Sequence, residues 1–246
     1  MSAAQLATLI RERQPCVALT GAGVSTESGI PDFRSPTGIW ADVDPLEYAS
    51  LDAFRRDPTK VWSFYAPRFA MLADAEPNAA HRALAELERR GLVRAVVTQN
   101  IDVLHERAGS REVLEVHGSI RSSSCLDCGA SYALAAIEEQ LESRDAPVCS
   151  CGAILKPDVV FFGELLPAAT IDRAYALAAE AALLLVVGSA LEVWPVAELP
   201  LVTRRAGGAV AIVNLGPTAR DDDAELKIDG SAGETLESVV AALDAA

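Results

Sequence analysis

Four short apolar runs punctuate the chain, at Cys16 to Thr20, Val93 to Thr98, Leu183 to Gly188 and Ala209 to Asn214. Each is rich in Val, Leu, Ile or Ala and lacks a polar face, the pattern of strands buried on both sides of a parallel sheet. Helical periodicity fills the intervals. It is clearest from Asn78 to Arg90, where Asn78 can cap the first turn, Leu84 and Leu87 repeat on one face, and Gly91 ends the helix. Further helices are expected over Ala3 to Arg13, Ile171 to Glu180 and Glu234 to Leu243. Strands alternating with helices predict an α/β protein with a doubly wound parallel sheet, whose ligands bind beyond the carboxyl ends of the strands. Those ends read Thr20-Gly-Ala-Gly-Val-Ser25, Thr98-Gln-Asn-Ile-Asp102, Gly188-Ser-Ala-Leu-Glu192 and Asn214-Leu-Gly-Pro-Thr218, all polar or glycine-rich. Residues 34–75 and 121–156 break the rhythm, the first with prolines and aromatics and the second with cysteines. They are expected to form a smaller inserted lobe beside a larger domain made of 1–33, 76–120 and 157–246. The one charge run, Asp221 to Asp223, reads as a solvated loop.

Half of the 246 residues are hydrophobic, yet every apolar run is far shorter than the roughly 20 residues needed to cross a bilayer. No membrane span is expected. The N-terminal segment lacks the basic start of a secretory signal and soon meets Arg11, Glu12 and Arg13, which predicts a cytoplasmic protein. A formal charge of −14 argues against a nucleic-acid surface, because phosphate contacts need clustered Lys and Arg. The same charge would favour basic peptides, although in an acidic protein it usually reflects no more than solubility. Of five cysteines, Cys16 stands alone in an apolar run, while Cys125 and Cys128 form one close pair and Cys149 and Cys151 another. In a reducing compartment such pairs suggest a metal site, with a redox pair as the rival reading. Four thiolates would fill a tetrahedral zinc and leave no open position for water, so the metal would be structural.

The Gly21-Ala-Gly-Val-Ser25 loop after the first run admits two readings: backbone amides approaching a pyrophosphate, or a tight strand-to-helix turn. Thr26 occupies the third glycine position of the usual dinucleotide motif. The longer segment settles the matter, since Gly21-Ala-Gly-Val-Ser-Thr-Glu-Ser-Gly-Ile-Pro-Asp-Phe-Arg34 resembles the signature of the sirtuin family almost residue for residue. The resemblance continues through Thr98-Gln-Asn-Ile-Asp-Val-Leu-His-Glu-Arg-Ala-Gly109, Val116-His-Gly118, Lys156-Pro-Asp-Val-Val-Phe-Phe-Gly-Glu164, Val187-Gly-Ser-Ala-Leu-Glu-Val193 and Ile212-Val-Asn-Leu215, in the family's order.

The resemblance implies a Rossmann-like large domain, a small zinc-bearing lobe, and NAD as co-substrate in a protein-lysine deacylase. Gly21, Ala22, Gly23, Ser25, Thr26, Phe33 and Arg34 would hold the pyrophosphate and nicotinamide ribose. Gln99, Asn100, Ile101 and Asp102 would serve the ribose and carboxamide, and Gly188, Ser189, Asn214, Leu215 and Ala232 the adenosine half. In the family's reaction the acyl-lysine carbonyl oxygen attacks C1′ of the nicotinamide ribose, nicotinamide leaves, and a base activates a ribose hydroxyl against the resulting imidate. Imidazole suits that step, with an unperturbed pKa of about 6.5, and the resemblance gives the role to His117, alongside Asn100 and Asp102. For Asp102 a helix-capping role stays open. The other histidines, His81 and His105, read as structural.

Val159, Val160, Phe161 and Gly163 would line the acyl-lysine tunnel and meet an extended peptide. Tyr65 and Arg68 resemble the Tyr-x-x-Arg pair of the family's desuccinylating and demalonylating branch, where Arg would grip a distal carboxylate. Pro67 and Thr26 are unlike that branch, and a surface Tyr and Arg on a helix is the competing reading. The family pattern for the second cysteine pair is C-x-x-C, whereas this chain has C-x-C. The implied partners are acyl-lysine proteins or peptides, without nucleic acid or membrane. Mono-ADP-ribosyl transfer and a non-catalytic NAD-sensing module remain the alternatives.

Overall fold

The computed structural model describes residues 2–33 and 35–245. Among the described residues nine strands are formed: β1 (Cys16–Thr20), β2 (Ala95–Thr98), β3 (Val113–Glu115), β4 (Gly118–Ser124), β5 (Ser131–Ala133), β6 (Lys156–Val159), β7 (Leu183–Val187), β8 (Ala209–Asn214) and β9 (Leu226–Asp229). Six make one parallel sheet in the order β3-β2-β1-β7-β8-β9, and β5-β4-β6 make a separate antiparallel sheet. The four apolar runs are the central strands of the large sheet. The second begins at Ala95, not Val93, because Val93 N–H is turned back to the Leu87 carbonyl at the preceding helix end. β3 and β9 extend the sheet at its edges and were not anticipated.

The central strands are buried on both faces, which accounts for their unbroken hydrophobicity. One face carries Cys16, Ala18, Leu185 and Val213 against Leu6, Ile10, Leu84, Leu87, Leu236 and Val239 of the helices Ala3–Glu12, Ala79–Arg89 and Ala232–Asp244. The opposite face packs Val17, Leu19, Val186 and Ile212 against Ala174 and Leu177 of the helix Ala168–Glu180. A third core, around Trp62, Phe69, Phe161, Ile120, Ile137 and Leu155, belongs to the small sheet and to the helix Pro58–Asp74. It is tied together by the Trp62 indole N–H donating to the Leu155 carbonyl at 2.7 Å.

Asn78 shows how local chemistry places the site. Its side-chain oxygen accepts from Ala80 N–H at 2.9 Å and His81 N–H at 3.4 Å, capping the helix, while its amide donates to the Val24 carbonyl at 2.8 Å and the Ser28 hydroxyl at 3.0 Å. One cap thus satisfies the helix start and anchors the loop after β1. Among the described residues, no helix is long and apolar enough to cross a membrane.

Candidate functional site

A cleft of about 830 Å³ lies at the carboxyl ends of β1, β2, β7 and β8, with the third core on its far side. Its floor is where the backbones of two strand-end loops meet. Gly23 N–H donates to the Gly188 carbonyl at 2.9 Å, and a Cβ on Gly188, which sits at φ 60°, would lie 2.3 Å from Val24 N. Only glycine permits that approach. Gly21, Ala22, Gly23, Ser25 and Thr26 line this floor, and Ser189, Asn214, Leu215 and Ala232 line the adjoining wall. Gln99 bridges the strand ends, its amide donating to the Ser189 hydroxyl at 2.9 Å and the Thr20 carbonyl at 3.3 Å. Arg34, the remaining residue expected at the cofactor, lies outside the described residues.

Below the floor is a buried polar hub. Ser25 donates from Oγ to Asp102 Oδ2 at 2.7 Å, and Asn100 Nδ2 donates to Ser25 Oγ at 2.9 Å. His81 Nδ1 accepts from Asn78 N–H at 3.3 Å, which leaves the ring proton on Nε2, 3.4 Å from Ser25 Oγ. Asp102 also caps locally, with Oδ1 accepting from Leu104 N–H at 3.0 Å where the helix Leu104–Arg107 begins. The capping and site readings of Asp102 therefore coexist on its two oxygens. Val103 between them takes φ 60°, strained for a β-branched residue. His105 Nε2 lies 2.9 Å from Thr20 Oγ, and its ring meets that of His81 at 4.8 Å. Burial pushes His81 down to about 4, against the opposing pull of Asp102, and His105 to about 3.

His117 stands half-buried at the turn from β3 into β4. Its Nδ1 is 3.0 Å from the Gln99 carbonyl oxygen. A carbonyl only accepts, so Nδ1 carries the proton and Nε2 keeps the basic lone pair. His117, Gln99, Asn100, Ile101 and Asp102 all line the same cleft.

The far wall combines Val159, Val160, Phe161 and Gly163 with Tyr65 and Arg68. Phe161 is turned inward at 2 % exposure and stacks on Tyr65 at 5.3 Å, whereas Phe162, not singled out from the sequence, is 42 % exposed. Tyr65 is only 7 % exposed, so a surface reading fails for it, and burial pushes its phenol upward. Arg68 lays its guanidinium 3.5 Å from the Phe64 ring centroid and donates from Nη1 to the Phe64 carbonyl at 2.5 Å. An aromatic column, Phe33 on Trp40 and Trp40 on Phe64, each at 5.5 Å, continues that stack toward the floor. The sequence reading missed Trp40, Glu164 and Trp194, which also line the cleft. Trp194 was the most accessible of them, lying just past a strand end already identified as ligand-facing.

Away from the cleft, the Sγ atoms of Cys125, Cys128, Cys149 and Cys151 lie within 4.8 Å of one another. Cys125 and Cys151 are 3.5 Å apart, and Cys128 and Cys149 3.4 Å. Zinc–thiolate bonds of about 2.3 Å give a tetrahedron with edges of about 3.8 Å, so the donor set fits. The C-x-C pair reaches it because Cys149 N–H donates to the Ala153 carbonyl at 2.8 Å and Gly152 turns the chain at φ 95°.

The Sir2 family model matches residues 21–195. NAD-dependent protein deacylase 2 of Archaeoglobus fulgidus is 47 % identical over 236 residues, covering 95 % of this chain and 93 % of that protein. The NAD-dependent protein deacetylase of Caldivirga maquilingensis is 46 % identical over 236 residues, covering 95 % of this chain and 91 % of its own. Among solved structures, a Sir2 complex with p53 peptide and NAD+ aligns with a TM-score of 0.90 at 40 % identity over 100 % of both chains. A complex with deacetylated p53 peptide and 3′-O-acetyl ADP-ribose aligns with a TM-score of 0.94 at 42 % identity over 98 % of each. Likeness that runs through the sheet, the strand-end cleft and the cysteine cluster alike makes this chain a member of the Sir2 family, the sirtuins.

Proposed function

We propose that the protein removes acyl groups from lysine side chains at the expense of NAD, with His117 as the base. The observation that carries this reading is the Nδ1 contact of His117 with the Gln99 carbonyl, which presents a basic nitrogen in the cleft that also gathers Gln99, Asn100 and Asp102. NAD would supply the electrophilic ribose carbon and a nicotinamide leaving group. Gly21, Ala22, Gly23, Ser25 and Thr26 would cradle the pyrophosphate, Phe33 and Arg34 the nicotinamide ribose, and Gly188, Ser189, Asn214, Leu215 and Ala232 the adenosine. Asn100 and Gln99 would orient ribose hydroxyls, and Ile101 and Asp102 the carboxamide. Ser25, fixed by Asn100 and donating to Asp102, would hold that carboxylate in register.

The acyl-lysine would enter past Val159, Val160, Phe161 and Gly163, consistent with the acetylated and propionylated peptides bound in related Sir2 structures. For the acyl group, Tyr65 and Arg68 support a second capacity, removal of succinyl or malonyl, because Arg68 reaches the cleft with one N–H engaged by its own helix. The four cysteines would hold one zinc that braces the small lobe and takes no part in the chemistry. We read residues 1–33, 76–120 and 157–246 as the nucleotide-binding unit and 34–75 and 121–156 as the small lobe, in a cytoplasmic protein acting on peptides without nucleic acid or membrane. The test is direct: with NAD, an acetyl-lysine peptide should yield deacetylated peptide, nicotinamide and O-acetyl-ADP-ribose in equal amounts. ADP-ribosylated peptide with the acetyl group retained would instead establish the transferase reading.

A further inference from the structure

Lys156 opens the segment that forms the far wall of the cleft, yet it is only 6 % exposed. An ammonium is costly at such a place unless its donors are met. Here three acceptors surround it: Nζ donates to the Pro157 carbonyl at 2.9 Å, the Val159 carbonyl at 2.8 Å and Glu164 Oε2 at 2.8 Å, and it rests 4.1 Å from the Phe161 ring centroid. The same Glu164 oxygen accepts from Phe161 N–H at 2.8 Å, and Glu164 N–H donates to the Phe161 carbonyl at 3.0 Å. The stretch from Lys156 to Glu164 is thus folded around one ammonium. On one side Val160 N–H donates to the His117 carbonyl at 2.8 Å. On the other, Phe162 accepts from Leu51 N–H at 3.0 Å and donates to the Ala49 carbonyl at 2.8 Å.

A buried ion pair is a weak source of net stability but a directional one. This pair touches neither His117 nor the strand-end floor; what it fixes is the course of the wall and the Phe161 ring against Tyr65. We propose that the Lys156–Glu164 pair is a positioning device for peptide capture, setting the substrate-facing edge of residues 157–164 while leaving the nucleotide half of the cleft untouched. The proposal rests on the deacylase reading only for its kinetic readout.

Full-length Lys156→Met and Glu164→Gln are compared with wild type in initial-rate assays that vary acetyl-lysine peptide and NAD separately. Calorimetry with ADP-ribose and fluorescence anisotropy with the labelled peptide accompany them. Lys156→Met should raise the peptide KM and Kd by at least about tenfold, with kcat and ADP-ribose affinity within about twofold of wild type. Glu164→Gln, whose amide oxygen can still accept from Phe161 N–H, should show the same split with a smaller rise. In Lys156→Met/Glu164→Leu the stranded carboxylate is gone, so peptide binding should be no worse than in Lys156→Met. An unchanged peptide KM, or parallel losses in kcat and ADP-ribose affinity, overturns the proposal and makes the pair mere scaffold. Should Lys156→Met fail to fold, Glu164→Gln decides alone by the same criterion. A wild type that binds peptide without deacylating it would refute the functional reading, and the anisotropy arm would still judge the pair.

Discussion

Replacing Arg68 by Met separates acyl selectivity from architecture. In the resting structure the guanidinium lies on the Phe64 face and uses Nη1 on the Phe64 carbonyl. Among the described residues no carboxylate pairs with it. Its Nε and Nη2 edge is therefore the one a succinyl carboxylate would meet, with two charge-assisted hydrogen bonds of about 1.5–3 kcal/mol each. Arg68 is partly exposed, so solvent screening takes back roughly half, leaving about 1.5–3 kcal/mol. Met retains an unbranched stem over Phe64 and loses the charge together with the Nη1 bond to the Phe64 carbonyl, a bond that is independent of the acyl group. Efficiency toward a succinyl-lysine peptide should thus fall between about tenfold and about 150-fold, while acetyl-lysine efficiency changes less than about threefold. The assay is kcat/KM on one peptide bearing either acyl group, with NAD saturating. Equal losses on both substrates would reduce Arg68 to a cap on the aromatic column, and a wild type inert toward succinyl-lysine would refute the idea outright.

His117→Ala should abolish deacylation while ADP-ribose still binds and the melting temperature stays within a few degrees, since the ring is half-buried at a turn and its Nδ1 meets a backbone carbonyl; turnover near wild type would end the base assignment. Metal analysis should find about one zinc per chain, and stripping it with a chelator should unfold the small lobe before the parallel sheet, because a closed four-thiolate site contributes folding energy; a zinc-free preparation of full stability and activity would contradict this. His81 and His105 stay neutral in the fold with values pushed down to about 4 and about 3, so the unfolded chain takes up their protons first as pH falls below about 6.5. Their contribution is complete above that value and lost below it, by about 2 kcal/mol each at pH 5. Denaturant titrations should show it, and His105→Gln should remove about half of that loss; an identical pH slope in the variant would disprove the linkage.

Reading strand ends succeeded where burial on both faces leaves only apolar residues, as in Leu183–Val187, and the polar residues that follow then point into the cleft. The edge strands escaped notice because an edge tolerates charge: Leu226–Asp229 carries Lys227 and Asp229, and Val113–Glu115 is three residues long. β4 is harder still, since its sequence Gly-Ser-Ile-Arg-Ser-Ser-Ser buries only Ile120 and Ser123 and owes its place to pairing with β5 and β6. Within the site, only half of the chemistry at His81 was legible: its contact with Asn78 is local, made at the cap of its own helix, whereas Ser25 reaches it from a separate element. Lys156 was legible only as the start of a family-like segment, and its burial shows once the acceptors on Pro157, Val159 and Glu164 are turned onto it. The irregular path of residues 156–164, like the meeting of Ser25 with His81, leaves no periodic trace in the chain.

The position of β1 between β2 and β7 also governs how the chain can be made. Cys16 pairs with Leu183, so β1 leaves the ribosome long before the strand that it pairs with on that side. Until then its apolar edge has no partner on that side, and Gly21 and Gly23 have no Gly188 backbone to close against. A nascent chain, or a fragment ending before Leu183, therefore presents an open hydrophobic strand edge, the feature most prone to wrong pairing and aggregation. The long interval between the two halves of the cleft means that its floor cannot close until Gly188 has been made.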